Sequence, residues 1–390
     1  MIRIDQITLR EIGLPLKEPF RISSGVCSER RILLLELRDA DGASTWSECV
    51  AGEQPNYSPE TVDTAWLAIS EWIAPRVLGV GFAAPGDVHP ALERDFRGHN
   101  MAKAAVEMGA WALAAEQAGV SLARAVAAAP ARGGGAEVRP VRDRVDVGIS
   151  LGIQPDPAAL VERARAALAA GYRKVKLKIE PGRDVDYVAA VREATGASAP
   201  LMADANNAYT LDDAGHVRAL ERLDAFGLMM VEQPLAWDDL VRHAELQRRL
   251  RTPVCLDESI TSVERAEDMI ALGSGRVVNI KPGRVGGFAQ SVAIHDVCAA
   301  EGIPVWCGGM LESGVGRAYN VALASLPNFA KPGDISPSAR YWARDVVTPE
   351  WTMDGAGRVR VPLDRPGLGV DVDAGRIDDL TTRCRTLSAS

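Results

Sequence analysis

Apolar positions alternate at the start of the chain, at Ile2, Ile4, Ile7 and Leu9, and an apolar run interrupted only by Glu36 follows over 32–37. Alternation marks a half-buried strand, and a short run bounded by polar residues marks a fully buried one. The stretch Asp39-Ala40-Asp41-Gly42 supplies a turn, so 45–50 is expected to return as the next strand of a hairpin. Helical periodicity then covers 59–72 and 101–118, where Ala, Leu, Met and Trp recur on one face. Strands followed by helices predict a small α+β module over 1–125.

Residues 126–144 combine a Gly triplet with Pro and Arg, the composition of a surface connection, and are read as a linker. Beyond it the pattern becomes a regular beat. Short β-like segments near 145–151, 174–179, 200–204, 227–232, 253–257, 277–281 and 304–308 are each followed by a helical stretch. Strands that alternate with helices build a parallel sheet, and a closed barrel of this kind spends roughly thirty residues per unit. An α/β barrel is therefore predicted over 145–344, with its eighth strand near 328–334. The tail, 345–390, returns to short β-like and turn segments and is expected to pack back on the first module.

Composition narrows the partners. The 390 residues are 47% hydrophobic and 25% charged, the balance of a folded chain rather than a disordered one. A formal net charge of −8 makes nucleic acid a poor partner. The opening MIRIDQITLR lacks the apolar centre of a secretory leader, and the Ala-rich stretch after Lys103 is interrupted by Glu107, Glu116 and Gln117, so a cytoplasmic protein without a membrane span is expected. The six cysteines form no CxxC pair and are read as reduced core thiols.

Charge appears where barrel strands should be apolar: Lys176 and Lys178, Asp204, Glu232, Asp257 and Lys281. From Lys178 onward they follow one another at intervals of roughly 25 residues, so each is expected from the next strand in order. The C-terminal strand ends form the working face of such a barrel, where Asp204, Glu232 and Asp257 would converge. Three carboxylates in one small volume repel one another, and a hard divalent cation with open positions, Mg2+ above all, relieves them. Zinc fits less well without His or Cys beside them. Lys176 and Lys178 share a strand face, and a lysine beside another cation loses its proton more readily and can act as a base. Counted from 145, Lys178 falls on the second strand and Lys281 on the sixth, opposite each other in a ring of eight. Two bases facing across a carbon acid are what a racemase requires.

The segments KLKIEPGRD, DANNAYT, VEQPL, CLDESI, NIKPGRVGG and PVWCGGMLESGVGR, in this order, resemble the enolase superfamily, in the branch holding o-succinylbenzoate synthases and N-acylamino acid (N-succinylamino acid) racemases. In that superfamily a Lys or His base works beside Mg2+ that stabilises an enediolate. The resemblance implies a modified (β/α)7β TIM barrel capped by an α+β domain built from the N-terminal region and the C-terminal tail. It implies metal ligands Asp204, Glu232 and Asp257, acid/base residues Lys178 and Lys281, and Lys176 as companion lysine. The cofactor implied is Mg2+, with Mn2+ or Co2+ as substitutes. Phe20 and Ser23 in PFRISSG, which matches a specificity loop of the family, would with Tyr57 close over a small carboxylate substrate from the cap. Ser150, Asn206, Arg284, Gly309 and Leu311 match positions at the barrel mouth. The activities implied are dehydration of 2-succinyl-6-hydroxy-2,4-cyclohexadiene-1-carboxylate, a menaquinone-pathway step, and racemisation of N-acylamino acids. Dipeptide epimerase, muconate cycloisomerase and a non-catalytic binding barrel are the alternatives, and a homo-oligomer is expected. Two departures stand out: a linker rich in Gly and Arg, and Gly52 where a larger side chain is more usual.

Other features have plainer explanations. The five histidines fall on predicted helices or loops and suit surface or capping roles. Cys255 and Cys307 read as buried inert thiols. Gly308-Gly309 suits close backbone approach to substrate, and the helix around Trp111 suits core packing or a subunit contact.

Overall fold

The computed structural model describes residues 1–23, 25–131 and 138–389. Of the expected linker, 132–137 lies outside the described residues. Strands β1 (Gln6–Ile22), β2 (Gly25–Arg38) and β3 (Ser44–Cys49) form an antiparallel sheet, which the C-terminal strand (Thr381–Ser388) completes by pairing with β1. The apolar run of β2 is explained by burial on both faces. Leu33, Leu35 and Leu37 pack toward the helices of the cap, whereas Ile32 and Leu34 join the core that continues into the barrel. The PFRISSG segment was expected as a loop; instead Phe20 pairs with Cys27, Arg21 with Val26 and Ile22 with Gly25, so a long hairpin carries it to the barrel mouth.

Helix α1 (Asn100–Ala118) lies between the two domains and is buried along most of its length. Ala102, Ala105 and Leu113 face the cap core, and Ala104, Met108 and Trp111 face the barrel. Small residues let its neighbours approach: a Cβ on Gly109 would stand 2.8 Å from Leu37. Trp111 is thus buried within the chain rather than at a subunit contact.

The barrel begins after the short strand Arg144–Asp146, which pairs antiparallel with Arg358–Arg360 and divides the single strand expected over 145–151. Its seven parallel strands lie in chain order: β4 (Gly148–Leu151), β5 (Lys174–Lys178), β6 (Leu201–Asp204), β7 (Val231–Glu232), β8 (Val254–Leu256), β9 (Val277–Ile280) and β10 (Val305–Cys307). Asp156, Asp213, Asp239 and Ser262 accept backbone N–H bonds at helix starts, which punctuates the alternation. The eighth strand takes no regular form. The segment 328–334 nonetheless joins the two edges: Val305 N–H donates to Asn328 and Asp334 N–H to Cys307, while Gly148 N–H donates to Gly333 and Gly333 N–H to Asp146.

Two buried carboxylates fasten cap to barrel. Glu107 of α1 accepts from the N–H groups of Phe288 (2.8 Å) and Ala289 (3.0 Å), at the start of α2 (Phe288–Ala300). Glu48 of β3 accepts from Ser313 and Gly316 at the start of α3 (Gly314–Ala324). Each uses the unpaired donors and positive end of a helix N-terminus. Glu107→Ala leaves two N–H groups without their acceptor and is expected to lower stability by about 2–4 kcal/mol in denaturant unfolding; no measurable change would exclude this fastening. Burial raises Glu107 to about 7 and Glu48 to about 8, from 4.5. A carboxyl raised on folding stabilises most below its unfolded value and loses that contribution as pH climbs through the folded one. The unfolding midpoint is therefore expected to fall between about pH 5 and pH 9, less steeply in Glu107→Gln.

Candidate active site

Side chains alternate along each barrel strand, so every second residue points inward and the interior fills in layers. The lowest layer holds Met202, Met230, Cys255, Val277 and Trp306, with Lys174 placed 3.4 Å over the Trp306 ring. One layer higher the interior turns charged: Lys178, Asp204 and Glu232 follow in lateral register, Lys176 reaches the same two carboxylates with its side chain, and Asn279 donates to Glu232 from across the barrel. Asp257 and Lys281 lie one residue beyond the ends of β8 and β9.

These charges are paired and almost wholly buried, as a low-dielectric interior requires. Lys176 Nζ reaches Asp204 and Glu232 at 3.1 Å and Asp334 at 2.7 Å. Lys178 Nζ donates to Asp204 at 2.6 Å and to Asn206 Oδ1. Lys281 Nζ donates to Asp257 at 2.8 Å and to the Tyr57 hydroxyl at 3.1 Å. Arg284 pairs with Asp257, donates to Tyr57 at 3.0 Å, and is anchored by its bond to the Ile260 carbonyl. Asn279 donates to Glu232 at 2.7 Å.

Electrostatics follow from this packing. Burial, then the neighbouring Asp204, pushes Glu232 up to about 8. Burial opposes charge on Asp204 too, but Lys178 and Lys176 outweigh it and hold that carboxyl below its usual range. Burial likewise works against the charges of Lys176 and Lys281, yet Asp334, Glu232 and Asp204 around the first, and Asp257 and Tyr57 around the second, raise both. The expectation that a companion cation would loosen the lysine protons is therefore corrected for Lys176, where the adjacent carboxylates dominate while they are paired to it.

Among the described residues, no group of three His, Cys, Asp or Glu side chains forms a ready ion cage, because lysines take up the carboxylate oxygens. The donor set nevertheless fits a divalent cation. Asp204, Glu232 and Asp257 are buried oxygen donors from consecutive strands, and burial together with the neighbouring Asp204 works against charge on Glu232, which a bound cation would offset.

A cavity of about 440 Å3 opens above this layer between barrel and cap. Lys178 and Lys281 both line it, with Phe20, Tyr57, Asn206, Gly309 and Leu311. Gly52 is also on its wall. Ser23 lies at the rim, its hydroxyl donating to the Asn206 carbonyl at 3.2 Å. Ser150 is buried opposite Lys176 in the register and does not line the cavity, and Arg284 sits beneath it as the support of Asp257. Gly308 has a different use from the one expected, since a Cβ there would stand 2.7 Å from Lys281 Cε; its absence makes room for that lysine.

Lys174, Asn279, Glu258 and Asp334 escaped the sequence reading. Lys174 and Asn279 stand two residues before Lys176 and Lys281, so strand alternation alone would have turned them inward. Glu258, raised to about 7 by burial and then by Asp257, accepts from Asn206 and Asn207. Asp334 comes from the irregular seam and had no periodic signal. The histidines stay out of the site, but His243, His89 and His295 are buried rather than at the surface. Of the cysteines, Cys27 is half-buried on the cavity wall and Cys384 is exposed, so only four are core thiols.

Comparison with known proteins agrees with this architecture. Residues 4–126 match the mandelate racemase / muconate lactonizing enzyme N-terminal domain, and 159–376 match the enolase C-terminal domain-like family. An o-succinylbenzoate synthase of Geobacillus kaustophilus is 47% identical over 97% of this chain and 96% of its own length. An N-succinylamino acid racemase of an Amycolatopsis species is 45% identical over 98% of both. A crystal structure of an enolase superfamily member from Listeria innocua superposes over 100% of both chains with a TM-score of 0.92 and 36% identity. A capped parallel barrel with an ordered Lys, Asp, Glu, Asp, Lys series, matched along its whole length, belongs to the enolase superfamily.

Proposed function

We propose that this enzyme removes the proton α to a carboxylate, as an o-succinylbenzoate synthase, an N-succinylamino acid racemase, or both. The observation that carries this reading is the placement of Lys178 and Lys281 on opposite sides of one cavity, above three buried carboxylates. Close relatives with each name support both reactions.

Enzymes of this superfamily use a divalent metal, and Asp204, Glu232 and Asp257 are the residues that would hold it, with Mg2+ the ion best suited to few carboxylates and open positions. When bound it supplies positive charge that stabilises the negative charge developing on the substrate carboxylate. The remaining work falls to the chain. Asp257 is kept anionic against its burial by Lys281 and Arg284. Asn206 and Asp204 hold Lys178 Nζ at the floor of the cavity, where it takes the α proton. In dehydration, Lys281 steadies the enediolate while the hydroxyl leaves as water with the proton that Lys178 has taken. In racemisation, Lys281 delivers a proton to the opposite face, and the roles reverse for the other enantiomer. Cap residues Phe20 and Tyr57 cover the substrate and exclude water.

No helix among the described residues is long and apolar enough to cross a membrane. A cytoplasmic site of action accords with the six free cysteines.

Three outcomes test the reading. Calorimetric titration with Mg2+ is expected to give a binding isotherm that Asp204→Asn and Glu232→Gln abolish; unaltered binding in both would remove the metal assignment. Proton NMR in D2O should show wild-type exchange of the α proton in both enantiomers of N-succinylphenylglycine. Lys178→Ala and Lys281→Ala should each lose exchange of one hand by about 100-fold or more, and exchange of both hands surviving in either variant would refute opposed bases. Lys178→Ala should also lose dehydration of the cyclohexadiene substrate, and retention of that rate would exclude Lys178 as its base.

A further inference from the structure

Along β2 the residues of one face run Leu34, Ile32, Arg30, toward the cavity. Strand alternation places Arg30 where the pattern calls for a third apolar side chain, and it is only 6% exposed. Burying a guanidinium without an anion is costly, and such groups are ordinarily held by carboxylates. The other cations on the cavity wall obey that rule. Arg31 turns away to Glu11 at 2.8 Å and Asp63 at 3.0 Å, Lys178 pairs with Asp204, and Lys281 with Asp257. Among the described residues, Arg30 makes no ion pair. Its Nη2 donates to the Val50 and Ala51 carbonyls at 3.3 and 3.4 Å, both long, and its Nε is buried without a partner.

We infer that Arg30 is a specificity residue that binds a second carboxylate, at the cap side of the cavity, on substrates whose first carboxylate lies over the barrel lysines. The inference rests on the function proposed above and names the residue that would select for the second carboxylate of its substrates. The names of the relatives fit: o-succinylbenzoate and an N-succinylamino acid each carry a carboxylate at the end of a succinyl arm, besides the one next to the reacting carbon. A planar guanidinium with open donors matches a carboxylate in two-point geometry. The cavity, at about 440 Å3, falls in the range that takes a small ligand of this size. Arg30 also adds positive charge near Glu48, and a purely supporting role for that carboxyl and the two carbonyls is the competing explanation.

The two explanations differ in what they do to selectivity. The test measures α-proton exchange, with Mg2+, for N-succinylphenylglycine and N-acetylphenylglycine in wild type, Arg30→Met and Arg30→Lys, with thermal melts to confirm folding. Loss of a charge-assisted contact should lower the succinyl-over-acetyl ratio of kcat/KM about tenfold or more in Arg30→Met, mainly through KM. Arg30→Lys, which keeps charge without the planar fork, should recover part of the ratio, and it carries the test if Arg30→Met does not fold. Both substrates declining together, with the ratio unchanged, would overturn the assignment while leaving the proposed function standing. If wild type only dehydrates the cyclohexadiene substrate, KM for that dicarboxylate must rise about tenfold in Arg30→Met, and an unchanged KM would overturn the assignment. A wild type inert toward all three substrates would overturn the function, and the role of Arg30 with it.

Discussion

Lys176 sits among three carboxylates, Asp204, Glu232 and Asp334, inside a barrel that otherwise packs Met, Val and Trp. A buried charge of either sign is tolerable only when opposite charge surrounds it closely, so each member of this cluster is a condition for the others. The strands must keep their register for the pairs to meet, and the seam must close for Asp334 to arrive. Asp334 also contacts Lys174 at 3.0 Å, which links the seam to the lowest layer of the interior. Charge balance here is therefore structural before it is catalytic.

The cap completes what the barrel begins. Tyr57 reaches down to Asp257 at 2.9 Å, and the hairpin tip touches the barrel through Arg21, whose carbonyl accepts from Ile153 N–H at 2.9 Å. Gly152 allows that contact, because a Cβ there would stand 2.8 Å from the Arg21 carbonyl oxygen. The cavity thus draws its floor from strand ends and its roof from a sheet whose own core lies elsewhere. In the proposed reaction, acid–base chemistry and selectivity are divided between the two: the lysines are fixed by barrel geometry, while the cap wall carries residues such as Gly52 and Arg30.

Much of this was legible in the residues because period and spacing are strong constraints. Seven strands fall close to their expected places, since each is a short apolar run between a capped helix and the next. The ordered charges at their ends were visible for the same reason, an ionisable residue closing an apolar strand being a conspicuous exception. The seam at 328–334 was located without its form, because two edge strands impose its hydrogen bonds from outside. The hairpin arm at Phe20 was misread as a loop since Pro15, Lys17, Glu18 and Pro19 interrupt its alternation, and pairing with β2 across an irregular register supplies the order. Histidine burial was missed because local pattern does not reveal partners such as the Leu235 N–H that His243 accepts.

The C-terminal strand has a consequence for how the chain acquires its shape. Thr381–Ser388 lies beside Gln6–Ile12, with the hydroxyls of Thr8 and Thr386 meeting at 3.1 Å across nearly the whole length of the polypeptide. During synthesis from the N-terminus, one edge of the first sheet stays bare until every barrel residue has been made. A sheet begun before the barrel is then finished only after it, and its open edge must be kept from other chains while the barrel is made.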